Sequence, residues 1–153
     1  HNGKAVKLED YKDKIVVLEW ICPTCPYVVR HYKAETFVDL AKKYEKKDVV
    51  WLAVNSTSST TNAKNKAWAE KHDLPYAILN DASGEVGKAY GAKTTPHMFI
   101  VKDGKVVYNG AIDNDPRGNK GDSRINYVDQ AIGELLAGSA VSTPKTKPYG
   151  CGV

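Results

Sequence analysis

Ile15-Val16-Val17-Leu18-Glu19-Trp20-Ile21-Cys22-Pro23-Thr24-Cys25-Pro26-Tyr27-Val28 is the most informative stretch of this chain. Its first half is β-branched or aromatic at nearly every position, the pattern of a strand buried on both faces. After it the spacing becomes helical. Val28, Tyr32, Phe37, Leu40 and Tyr44 recur at steps of three to five, with Ala41 beside Leu40, which predicts one long helix to about Lys47. Cys22 and Cys25 therefore stand where a buried strand hands over to a helix. Proline suits the first helical position, because its missing N–H has no partner there anyway. Pro26 in that position makes Cys25 the N-cap, with unpaired N–H groups and the positive helix end near its sulfur. Such surroundings favour thiolate, the nucleophilic form. A helix starting at Pro23 would instead put Pro26 where the first backbone hydrogen bond belongs. Cys25 is thus the thiol at the helix end, with Cys22 just outside it.

Val49 to Val54 reads as a second buried strand, followed by a polar loop, a helix from about Asn62 to His72 and a short strand at Tyr76 to Leu79. A short helix spans Gly84 to Tyr90. His97 to Lys102 and Lys105 to Asn109 flank Asp103-Gly104, a strong hairpin signal. The last helix runs from about Ile125 to Ala137. Upstream, Asn2-Gly3 signals a turn, and Lys4 to Leu8 reads as the return strand of a hairpin begun before His1. From Gly138 to Val153 there is no period, and Pro144 and Pro148 stop any helix, so an extended, mobile tail is expected. Early βα alternation implies parallel strands, and the hairpin adds an antiparallel pair. The expected class is α/β: a mixed central sheet flanked by helices in three layers. One domain covers residues 1–153, with the tail from about 138.

The chain has 153 residues, 42% hydrophobic and 26% charged, a globular composition. Its formal charge of +4 is spread along the chain, which describes a lysine-rich solvated surface rather than a nucleic-acid face. No apolar run is long enough for a membrane span. The chain opens on His1 rather than Met, so an upstream segment was removed or omitted, and an exported or periplasmic location is expected slightly ahead of a cytoplasmic one. Three cysteines are too few for a disulfide framework. A zinc site would need a second ligand pair, and only His31, His72, His97 and Cys151 remain, so no metal is expected. The C-P-x-C-P turn is a poor place to bury inert thiols.

Other residues add to the cysteine pair. Glu19 sits in an apolar strand; buried near the thiols it would have a raised pKa and could shuttle a proton, while at an edge it would be an ordinary solvated carboxylate. Cys151 is either an idle thiol or one that reaches back to Cys25 or Cys22. Trp20, Tyr27 and Phe99 read as core or rim packing, and His31 as part of a solvated helix face. X-Pro bonds are mostly trans, so residue chemistry alone reads Pro96 as a trans proline opening a strand.

Val16 to Trp20 leading into Cys22-Pro23-Thr24-Cys25-Pro26-Tyr27-Val28, together with Thr95-Pro96-His97-Met98-Phe99 and Asp103-Gly104, resembles the thioredoxin-fold superfamily. Val107-Tyr108 to Gly110, Ile112-Asp113 and the tail Lys147-Pro148-Tyr149-Gly150-Cys151 extend the match. Within that superfamily it is similar to the redoxins, the peroxiredoxin-like branch related to alkyl hydroperoxide reductase. The resemblance implies a thioredoxin fold, a cis Pro96 facing the thiols, and a substrate-docking surface of Thr95, Pro96 and Tyr27. It also implies antioxidant redox chemistry without a cofactor.

Peroxiredoxins carry P-x-x-x-[TS]-x-x-C before the reactive cysteine. Counting back from Cys25 gives Cys22 and Leu18 at the two marked places; from Cys22, Glu19 and Ile15. The missing hydroxyl ranks a thiol peroxidase second to a thiol–disulfide oxidoreductase. In the leading reading Cys25 attacks a disulfide-containing protein or, second, a hydroperoxide. Cys22 or Cys151 then resolves the intermediate, and a dithiol protein supplies electrons. Cys22 is slightly favoured, because a neighbour three residues away has the higher effective concentration. A copper(I) chaperone using His97 ranks third, since those proteins space their cysteines C-x-x-x-C-P.

Overall fold

Residues 15–21 are buried along their whole length because they form the centre of the sheet, with a strand on either side. The computed structural model describes residues 3–153. Its main sheet contains β1 (Ile15–Ile21), β2 (Val49–Asn55) and β3 (Ile78–Asn80), all parallel. The two-residue strand β4 (Thr94–Thr95) stands apart, before β5 (His97–Lys102) and β6 (Lys105–Gly110). β5 runs antiparallel to both β1 and β6, giving the order β3-β2-β1-β5-β6. β7 (Cys151–Gly152) pairs antiparallel with β4 in a small second sheet. At the β5–β6 turn Asp103 and Gly104 both have positive φ (53° and 74°), the type I′ geometry that the Asp-Gly pair favours.

Alternation along β1 splits the core in two. Ile15, Val17 and Ile21 face α1 (Pro26–Lys33), α2 (Thr36–Tyr44) and α5 (Tyr127–Leu136), which contribute Val28, Phe37 and Ile132 among others. Val16, Leu18 and Trp20 face the other way with Leu52, Val54 and Phe99, against Tyr90 of α4 (Glu85–Tyr90). α3 (Asn62–Lys71) adds Ala69 to the first core, and its N-cap Thr61 accepts a hydrogen bond from the Lys64 N–H.

Several expectations are corrected. The long helix is two: α1 ends at Lys33 and α2 begins at Thr36, with Glu35 left-handed at φ 57°. The step of five from Tyr32 to Phe37 is the break, since one helix would put those rings on different faces. No strand forms at Lys4 to Leu8; a 3-10 turn at Leu8–Tyr11 follows a stretch without regular secondary structure. Asn2 of the expected turn lies outside the described residues. β3 starts two residues later than expected, because its ladder with β2 begins at Ile78 opposite Ala53. Asn126 caps α5 by accepting from the Asp129 N–H, so the helix starts after it.

The tail is extended but anchored. Asn109 N–H donates to the Pro144 carbonyl (3.0 Å) and Thr146 N–H to the Asn109 carbonyl (3.1 Å). The Thr146 hydroxyl oxygen accepts from Ala111 N–H (2.9 Å) and lies 2.6 Å from the Tyr108 hydroxyl. Gly110 makes this possible, since a Cβ there would overlap Thr146.

Candidate active site at the start of the first helix

Cys25 is the N-cap of α1, extended at φ −73° and ψ 123°, with Pro26 in the first turn. The preceding loop closes through the Cys25 N–H, which donates to the Cys22 carbonyl (3.0 Å). The two sulfurs nonetheless have different partners. Cys22 Sγ lies 3.3 Å from the Thr24 hydroxyl. Cys25 Sγ lies 2.7 Å from Cys151 Sγ, and as a thiol it donates to the Thr95 carbonyl (3.1 Å). All three cysteines are free thiols.

The tail brings Cys151 there. β7 lies on β4 with Thr95 opposite Cys151 and Thr94 opposite Gly152. Gly150, at φ 137°, packs so tightly that a Cβ would overlap the Thr95 carbonyl. The Thr95-Pro96 peptide is cis. Thr95 is buried, and its hydroxyl meets no hydrogen-bond partner among the described residues. Tyr27 meets the ring of Tyr149 edge-on at 5.8 Å. The strap of residues 149–152 thus covers Tyr27 and Thr95 and leaves Cys25 only 2% exposed.

Electrostatics separate the thiols. Burial opposes a Cys25 thiolate, but the contact with the Cys151 thiol, with the Val28 and Cys151 backbone, outweighs it and lowers the Cys25 pKa. The same contact with Cys25 is the largest cause pushing Cys151 up to about 11. Of the two, Cys25 is therefore the thiol that ionises first. Burial also opposes a Cys22 thiolate, and the Thr24 and Thr57 hydroxyls outweigh it, so that pKa falls too. Cys22 is half-buried and lines a cleft of about 420 Å³ with Thr24, Thr57, Lys64 and Trp68.

Glu19 is wholly buried, not at an edge. Tyr32 donates to one carboxylate oxygen (2.6 Å) and the Trp51 N–H to the other (2.7 Å), with Tyr76 hydrogen-bonded to Tyr32 behind. Burial pushes its pKa up to about 7, against the lowering pull of those hydrogen bonds. It makes no direct hydrogen bond to a thiol.

Two histidines are corrected. His31 is buried rather than solvated, near the Tyr149 hydroxyl (2.9 Å) and the Thr36 hydroxyl (3.2 Å). His97 stacks on Phe99, accepts from the Lys93 N–H (3.0 Å) and meets Asn109 Oδ1 (2.7 Å). With both nitrogens engaged it is not a ligand beside the thiols, which undercuts the copper reading. No group of three or more His, Cys, Asp or Glu able to hold a metal is present among the described residues. None of the described helices is long and apolar enough to cross a membrane.

The family model described as AhpC/TSA matches residues 1–109. The chain belongs to the AhpC/TSA family. Among curated relatives, thiol-disulfide oxidoreductase ResA of Bacillus thuringiensis subsp. konkukian is 31% identical over 110 residues, or 69% of this chain and 59% of that protein. The chain thus matches less than two thirds of that relative's length. An uncharacterized conserved protein of Geobacillus kaustophilus has a solved structure with TM-score 0.87 and 32% identity, covering 99% of this chain and 83% of its own. A thioredoxin-like solution structure from Neisseria meningitidis aligns at TM-score 0.61 and 24% identity over 70% of each chain, which shows the thioredoxin fold alone.

What the residues alone did not reveal is the cluster around Tyr149: Arg30, His31, Asp113 and Asp115. The one signal available was a tyrosine between Pro148 and Gly150, two residues before the tail cysteine.

Proposed function

We propose that this AhpC/TSA family member is a thiol–disulfide oxidoreductase whose working pair is Cys25 and Cys151. It acts as a single thioredoxin-like domain, with residues from about 138 as its arm. The supporting observation is the 2.7 Å contact between those sulfurs, while the Cys22 sulfur turns to Thr24.

Thiolate Cys25 attacks one sulfur of a substrate disulfide, forming a mixed disulfide and releasing the other substrate sulfur as thiolate. Cys151 then gives up its proton to solvent and attacks the Cys25 sulfur. A Cys25–Cys151 disulfide forms, the second substrate sulfur leaves, and the substrate has gained two electrons. A dithiol protein reduces the enzyme in turn by the same exchange. The raised Cys151 pKa suits this order, because its main cause is the reduced Cys25 beside it. Once Cys25 is in a mixed disulfide that hold is gone, and Cys151 becomes the better nucleophile. Tyr27, Thr95 and Pro96 are the surface offered to an extended disulfide-bearing chain when the arm lifts. Glu19, with a pKa near neutrality, holds or yields a proton beneath the site at working pH. A hydroperoxide is the second substrate class, because Cys22 stands where the peroxide-positioning hydroxyl would be.

Insulin or small-molecule disulfide turnover tests the pair. Cys25→Ser and Cys151→Ser should each abolish cycling, while Cys22→Ser retains it. Cycling by Cys151→Ser at the parent rate, with loss in Cys22→Ser, would overturn the assignment.

A further inference from the structure

While the arm is down, no substrate sulfur reaches Cys25, which lies 2% exposed beneath Cys151. A working cycle therefore needs residues 147–153 to lift and return. Besides the sulfurs and the terminal Val153 N–H, which donates to the Lys93 carbonyl (3.3 Å), the arm is held at two places. One is the short β4–β7 ladder. The other is the Tyr149 side chain, whose hydroxyl donates to Asp113 Oδ1 at 2.6 Å. It also lies 2.9 Å from His31 Nε2 and 3.5 Å from Arg30 Nη2. A phenol that donates to a carboxylate keeps its lone pairs free to accept from the histidine and the arginine, so every bonding position is used.

Asp113 is 1% exposed, and among the described residues Tyr149 is the only side chain that donates to it. Its Oδ1 also accepts from the Asp115 N–H (2.9 Å), and its Oδ2 has no partner. Lifting the arm therefore strips a buried carboxylate of its one side-chain donor. His31 and Arg30 belong to α1, the helix that Cys25 caps, so the clasp ties the arm to the element that positions the nucleophile.

We propose that Tyr149 is a positioning residue for the reaction. Clasped between Asp113 and His31, it latches the C-terminal arm over Cys25 and so sets how often that thiol is open to a substrate chain. The proposal rests on Cys25 and Cys151 being the working pair. Upstream, the Thr146 anchor stays in place, so the arm pivots near Lys147-Pro148 rather than leaving the domain.

The test uses a Cys22→Ser background, so that modification of Cys25 is read alone by peptide mass spectrometry. The reduced protein is treated with a bulky maleimide carrying a polyethylene glycol chain. Tyr149→Phe, which keeps the ring on Tyr27, should raise the Cys25 modification rate roughly tenfold or more, the fold-change for losing one hydrogen bond to a charged group. Amide exchange in β1 and β5 should stay at parent values. Asp113→Asn should raise the rate less, and the double variant should not exceed Tyr149→Phe, because both remove one interaction. If Tyr149→Phe does not fold, Asp113→Asn alone carries the reading. An unchanged rate in whichever single variant is read, or fully additive effects in the double, overturns the latch. No turnover is involved, so a failed Cys25–Cys151 pairing and a failed latch give separate results.

Discussion

The indole N–H of Trp51 donates to the buried carboxylate of Glu19 across the β1–β2 pair, at 2.7 Å. With Tyr32 on the other oxygen, this is a carboxyl kept inside the core by two donors and no cation. Burial nonetheless wins, and the group titrates near 7 instead of its ordinary 4.5.

A stability profile follows from that shift. Below the ordinary value Glu19 is protonated folded or unfolded, and it affects nothing. Between there and about 7 the folded protein keeps a proton that the unfolded chain has lost, so stability falls as pH rises and then levels off. The full difference is roughly 3 kcal/mol. Denaturant unfolding at about pH 5 and about pH 8 should show most of it, about 2.5 kcal/mol, as extra loss in the parent relative to Glu19→Gln. Parallel profiles for the two proteins would place the titration elsewhere.

The thiol pair makes a second prediction. Cys151 helps hold the Cys25 pKa down by hydrogen bonding to its sulfur. In a Cys22→Ser background, the midpoint of Cys25 alkylation rate against pH should rise in Cys151→Ala. It should rise less in Cys151→Ser, which keeps a donor. A midpoint that ignores both substitutions would mean that the helix end alone sets the thiolate.

The third concerns the anchor of the arm. Thr146→Val removes the acceptor for the Ala111 N–H and one of two partners of the buried Tyr108 hydroxyl, which keeps the Ala111 carbonyl. An orphaned buried donor costs about 1–3 kcal/mol, so unfolding should shift by that amount. Thr146→Ser should recover most of it. Full stability in Thr146→Val would show that the Pro144–Lys147 segment contributes little.

These relationships differ in how far they were legible in the residues. β1, β2 and the Asp103-Gly104 hairpin were readable because two-sided burial and a type I′ turn are local patterns. The N-cap role of Cys25 was readable from Pro26, since proline at a helix start is a local fact too. The break at Glu35 was not, because neither glycine nor proline marks it; only the five-residue step to Phe37 does. The tail was the largest miss. Its prolines and glycines signal an absence of helix, whereas Thr146, Tyr149 and Gly150 are held by tertiary contacts that leave no period. Proximity along the chain favoured Cys22 as the partner of Cys25. Proximity in space favours Cys151, because the N-cap directs the Cys25 sulfur toward Thr95 and the strand laid on it.

The most direct measurement is the disulfide that forms when the fully reduced protein is oxidised by one equivalent of a small disulfide. After blocking free thiols, non-reducing proteolysis and mass spectrometry identify the bridge. Residues 18–28 and the C-terminal segment should appear as one linked species through Cys25 and Cys151, with Cys22 blocked. A bridge between Cys22 and Cys25, with Cys151 blocked instead, would contradict the account.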